Sequence, residues 1–136
     1  MKRSTLSWLA MALLAFNAAG AIPGGLSLIL HPDGSAMGLS MELLAHSGFA
    51  TYLIPGWILL LFNGIFSIIT LVLTMRQSNH FGWFISVQGA VLTGWIVIQV
   101  ILLQFVWFLH VVMGIVGLAL GLTGWLINRR TNVANI

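Results

Sequence analysis

The chain has 136 residues, 60% of them hydrophobic and only 5% charged, with a mean hydropathy of +1.07. Soluble domains carry about a quarter charged residues, so this composition excludes a soluble globular fold. Five Lys and Arg against two acids give a net charge of +3, yet no basic run or stripe is present to support nucleic-acid binding.

The first apolar stretch runs from Leu6 to Leu30 behind Lys2 and Arg3. Its opening also has the form of a secretory signal, with an apolar core at Leu6–Ala15 and the small residues Ala19-Gly20-Ala21 at a cleavage position. A secretory apolar core spans only about 7–15 residues. Here the apolar character continues past Pro23-Gly24-Gly25 to Leu30, which favours an uncleaved first span.

The longest connector, residues 31–51, is a loop too short to fold by itself. His31-Pro32-Asp33-Gly34 reads as a turn, because Pro presets φ and Asp bonds its own backbone two residues on. Ser40 then caps a short interfacial helix over Met41–Ala45, which Gly48 ends. Pro55 is tolerated in the opening turn of a second span over residues 52–75. From Phe81 to Asn128 no Asp, Glu, Lys or Arg occurs. That block is long enough for two crossings of about 20 residues each. Gln104 and His110 mark its middle, so a turn near Gln104–Trp107 divides it. The chain is therefore expected to be a single all-α domain: a polytopic membrane protein with four transmembrane helices in an antiparallel bundle. The spans fall near 6–30, 52–75, 82–104 and 107–128.

Charge orients the bundle. Lys2, Arg3, Arg76, Arg129 and Arg130 fall in one set of connectors, and Asp33 and Glu42 in the other. Cytoplasmic loops are the ones enriched in Lys and Arg, so both termini are expected inside. Trp8, Trp83 and Trp125 then mark the inner boundary and Tyr52, Trp57 and Trp107 the outer one, as aromatic belts do.

Within the spans, Asn17 and Asn63 lie at matching depths, about 16 and 18 Å from the inner face at 1.5 Å per residue. They read as a hydrogen-bonded pair between the first two helices, or as a polar midplane site. Neither is ionisable, which favours the structural role. Gly114, Gly117, Gly121 and Gly124 share one face of the fourth span, where another helix backbone can approach closely. The partner of that face is an internal span, a second copy or another membrane protein. Gln88, Trp95 and Gln99 share a face of the third span. They serve interhelical bonding, a lipid headgroup or, with His110 at the start of the last span, a lipophilic cofactor such as quinone or haem.

His31, His46 and His110 fall on the outer side with Asp33 and Glu42, but without metal-ligand spacing, and no metal site is expected. Lacking Cys, the chain has no thiolate or iron–sulfur ligands. No nucleophile elbow, phosphate loop or paired carboxylate occurs on a span face, so no enzymatic activity is indicated.

Pro32-Asp33-Gly34-Ser35-Ala36-Met37-Gly38-Leu39 and Tyr52-Leu53-Ile54-Pro55-Gly56 resemble a pattern in small four-span bacterial inner-membrane proteins of no assigned function. There a P-x-G-x-x-x-G-L loop leads through a short helix to an L-I-P-G opening of the second span. Trp95-Ile96-Val97-Ile98-Gln99 resembles their third span. The chain is also superficially similar to DoxX-type four-span proteins, some linked to quinone redox chemistry, though without a specific DoxX motif. The resemblance implies a bacterial inner membrane and leaves activity open. The residues themselves suggest a non-catalytic accessory or scaffold subunit whose partners are the bilayer and another membrane protein. A quinone- or haem-binding redox component is the alternative.

Orientation is directly testable. Reporter fusions at Asn79 and Arg130 are expected to read as cytoplasmic and a fusion at Ser35 as exterior, and a periplasmic Asn79 would overturn the topology.

Overall fold

A computed structural model describes residues 5–35, 42, 48–77, 80–103 and 108–134. Four helices long and apolar enough to cross a membrane make up the described chain: α1 (Thr5–Leu30), α2 (Leu53–Met75), α3 (Phe81–Leu103) and α4 (Phe108–Ala134). They form an all-α antiparallel bundle in which α1 adjoins α2 and α4, and α3 adjoins α2 and α4. The chain is thus a multi-pass membrane protein by architecture. Helix α4 continues past Asn128, carrying Arg129 and Arg130 in its final turns. The Arg129 guanidinium sits over the Trp125 ring at 5.4 Å, a cation–π contact at the end of the bundle that holds both termini.

Large apolar side chains cover the outside, as a lipid-facing surface requires, and include Phe16, Leu61, Ile98 and Leu118. Trp8, Trp57, Trp83 and Trp125 are exposed near helix ends. Tyr52 is different. It lies at the loop end but is buried against Leu28, so it plugs the bundle instead of joining an aromatic belt. The main apolar core is made of Ala10 and Leu14 of α1, Ile85 and Leu92 of α3, and Val116, Leu120 and Ile127 of α4, with Leu71 of α2 packed against it.

The start of the loop is a formed turn. The Gly34 amide donates to the His31 carbonyl at 2.9 Å, and the Ser35 amide to the Asp33 carboxylate at 2.9 Å. That second bond holds the Asp33 carboxyl below its ordinary pKa. The Tyr52 amide donates to the Pro32 carbonyl at 2.8 Å, closing the loop at its base. Apart from Glu42, the helix expected over Met41–Ala45, together with His46 and the turn near Gln104–Trp107, lies outside the described residues.

Two helix pairs approach to backbone contact, and glycine allows both. Between α3 and α4, a Cβ on Gly89 would collide with the Gly121 amide and lie 2.7 Å from the Gly117 carbonyl. One on Gly117 would strike the Thr93 hydroxyl, and one on Gly124 the Ser86 hydroxyl and backbone. Between α1 and α2, a Cβ on Gly25 would lie 2.8 Å from the Leu60 Cβ, and one on Gly56 2.8 Å from the Leu28 Cβ.

The glycine face of α4 is therefore divided. Gly117 and Gly124 face α3, whereas a Cβ on Gly121 meets nothing within 4 Å and one on Gly114 only Ile96 at 4.0 Å. The shared helical face did not reveal that Gly121 offers its backbone, not its Cβ direction, to Gly89.

Gly89→Ala and Gly124→Ala are expected to cost about 1–3 kcal/mol each, the usual range for overpacking. Gly121→Ala is expected to stay within about 0.5 kcal/mol of the parent. Unfolding by denaturing detergent, followed by circular dichroism, reads the difference, and equal costs at positions 89 and 121 would contradict the arrangement.

Candidate functional site

The polar interior is built chiefly by α2. Asn63, Ser67, Thr70 and Thr74 recur at helical spacing, and all four are fully buried. They form an inward polar face running from the middle of the helix toward the terminal end of the bundle. Met11, Leu14 and Asn17 of α1 and Gln88 of α3 are buried as well.

The local backbone explains why Asn63 becomes the centre. Residues Leu59–Ile65 of α2 form a π-helical segment, and the Phe66 amide reaches back five residues to the Leu61 carbonyl. Where such a segment returns to α geometry, the regular ladder passes over a carbonyl, which then needs another donor. In a membrane that donor has to come from the protein.

Gln88 supplies it to the Phe62 carbonyl, and Asn17 adds a donor to the next carbonyl, that of Asn63. The Asn17 amide of α1 donates to the Asn63 carbonyl at 3.3 Å and to the Ser67 hydroxyl at 2.8 Å. The Gln88 amide of α3 donates to the Phe62 carbonyl at 3.3 Å and to the Asn63 side-chain oxygen at 3.4 Å. Thus three helices meet at one segment of α2 through neutral amides. The pairing of Asn17 with Asn63 is present, but its acceptor is the main chain of Asn63 and not its side chain.

Both side-chain orientations follow from these acceptors. Rotating the amide of Asn17 or Gln88 by half a turn would set an oxygen against a main-chain carbonyl, which cannot donate. Gln88 then fixes Asn63, whose side-chain oxygen has to accept. One side of each amide is left over. Asn17 Oδ1, Asn63 Nδ2, Gln88 Oε1 and Thr70 Oγ1 are buried without a partner among the described residues.

The residues expected to hold a cofactor are placed differently from one another. Gln88 is fully buried in the amide cluster and Trp95 is buried with its indole N–H unpartnered. Gln99 and His110 are half-exposed toward the loop end. Along α3, Gln88 and Gln99 are separated by about 16 Å at 1.5 Å per residue, so one small headgroup does not touch both. His31, Asp33 and Glu42 are exposed. Among the described residues no group of three or more His, Cys, Asp or Glu could hold a metal ion.

Ser67, Thr70 and Thr74 do not stand out in the sequence, because hydroxyls inside an apolar helix carry little weight singly. Their spacing from Asn63 was the signal. No protein-family model, curated protein or solved structure matches the chain.

Asn17→Leu removes two interhelical hydrogen bonds and strands two acceptors. It is expected to destabilise the bundle by about 1–2 kcal/mol, since such bonds in membranes average about 0.6 and reach about 1.7 kcal/mol each. Gln99→Leu, at a half-exposed position, is expected to change stability by less than about 0.5 kcal/mol. Detergent-induced unfolding of both variants measures the contrast, and a silent Asn17→Leu would remove the amide cluster from the stabilising interactions.

Proposed function

We propose that this chain is a non-catalytic accessory or scaffold subunit of a bacterial inner membrane, with both termini in the cytoplasm. The observation that carries the reading is how the interior polar groups are used. Asn17, Gln88 and Ser86 each donate to a main-chain carbonyl of a neighbouring helix, so the side chains with the greatest chemical capacity set helix register. The orientation is supported by Arg76, Arg129 and Arg130 at the terminal end of the bundle, with Asp33 and Glu42 in the opposite connector.

Association with another membrane protein, or with a second copy, would use the part of α4 that α3 leaves open. Gly114 and Gly121 have room in their Cβ directions there, while Gly117 and Gly124 are occupied within the monomer. Small residues of this kind let a second helix approach closely.

A second reading, a quinone- or haem-binding redox component, is favoured by one observation. The Trp95 indole N–H is buried without a partner, which is a donor available to a carbonyl oxygen in an apolar surround.

Protein purified in mild detergent from its native membrane separates the two. The subunit reading expects no Soret absorption and only substoichiometric quinone in an organic extract, together with a reproducible complex containing an integral membrane protein. A haem spectrum, or stoichiometric quinone lost in Trp95→Phe, would put the redox reading first.

A further inference from the structure

The three amides at the centre of the bundle satisfy one another only in part. Asn17 and Gln88 both bond to Asn63, through its carbonyl and its side-chain oxygen respectively, so the three lie within one hydrogen-bond step of a single residue. Their remaining atoms are two acceptors, Asn17 Oδ1 and Gln88 Oε1, and one amide donor, Asn63 Nδ2. Thr70, whose hydroxyl is also without a partner among the described residues, follows Ser67 by about 4.5 Å along the helix axis at 1.5 Å per residue. Asn63, Thr70 and Gln88 are 0% exposed and Asn17 1%.

The tally defines the chemistry of a guest. A group that serves these atoms has to donate to carboxamide oxygens and accept from a carboxamide N–H. A quinone carbonyl only accepts, and would leave both oxygens unmet. A cation would suit the oxygens and oppose the N–H. A hydroxyl does both. Size narrows the class further, because the α1–α2 crossing is closed by Gly25 and Gly56 and the α3–α4 crossing by Gly89, Gly117 and Gly124. A ring-bearing molecule entering by either crossing would have to part these helices, and water is the smallest molecule that both donates and accepts. Buried water typically makes about three hydrogen bonds to protein groups that otherwise lack partners.

We propose that the amide cluster of Asn17, Asn63 and Gln88 is a binding site for ordered water in the middle of the membrane-spanning bundle. The water completes the hydrogen bonding of the π-helical segment and joins α1, α2 and α3. This reading does not depend on whether the chain is a scaffold or a redox subunit.

Isotope-labelled full-length protein in lipid nanodiscs tests it by magnetisation transfer from water to side-chain amide protons. The expected result is transfer at Asn63 Nδ2 and Gln88 Nε2, at mixing times that leave the neighbouring backbone amides of α2 silent. Asn63→Leu is expected to abolish the transfer at Gln88, and the wild-type measurement stands by itself should that variant fail to fold. Resolved side-chain signals with no transfer from water would overturn the proposal. So would contacts showing that Asn63 Nδ2 donates directly to Asn17 or Gln88, or transfer from non-protein aliphatic or aromatic protons, which would assign the site to a lipophilic hydroxyl compound.

Discussion

Lipid offers no hydrogen bonds, and the bundle is organised by that one deficit at one place. Helices α1, α3 and α4 satisfy their backbones internally over most of their length, as any spanning helix does. The π-helical segment Leu59–Ile65 of α2 interrupts its regular ladder at mid-span. The carbonyl stranded there, that of Phe62, would cost several kcal/mol in hydrocarbon without a donor. Asn17 and Gln88 supply donors to the carbonyls of Asn63 and Phe62. An interruption that would weaken a lone helix thereby becomes the point where three helices are joined, and the positions of Asn17 in α1 and Gln88 in α3 are explained by it.

Close backbone approach is the complementary constraint. Between helices in lipid, attraction comes from dispersion and hydrogen bonding, so contact distance decides how much of it is realised. The α3–α4 pair achieves contact through Gly82, Gly89, Gly117 and Gly124, with Ser86 and Thr93 as the small residues between them. Ser86 adds a bond to the Gly121 carbonyl at 3.2 Å, so the same face both admits the neighbour and holds it in register. The α1–α2 pair uses Gly25 and Gly56 near the loop end and the amides at mid-span.

The class of fold was legible because hydropathy and charge are long-range signals. Unbroken apolar runs place helices, and the distribution of cations is consistent with their alternation. Fine geometry was not legible in the same way. Nothing in Leu59-Leu60-Leu61-Phe62-Asn63-Gly64-Ile65 announces a π-helical segment, since its residues suit an α-helix equally well. Consequently the sequence shows Asn63 as a side chain and does not show that its carbonyl accepts from Asn17. Gln88 shares its helical phase with Trp95 and Gln99, yet exposure separates it from Gln99. Phase says which residues share a face. It does not say how deep a neighbour covers that face.

The two helix pairs differ in what resists their separation. Moving α3 away from α4 forfeits many short contacts at once, because glycine leaves no side chain to bridge a widened gap. The seam between α2 and α3 depends more on direction, through the single side chain of Gln88 donating to the Phe62 carbonyl and the Asn63 side-chain oxygen. On the opposite seam, α1 meets α4 through Ala10, Leu14, Leu120 and Ile127, which are apolar and indifferent to small rotations. A rotation of the α1–α2 pair against the α3–α4 pair would therefore preserve the α1–α4 contacts better than the Gln88 bonds. Because water can exchange hydrogen-bond partners without covalent change, hydration of the Asn17, Asn63 and Gln88 amides would lower the cost of breaking those bonds. The polar centre then both defines the register of the halves and sets how easily that register is left.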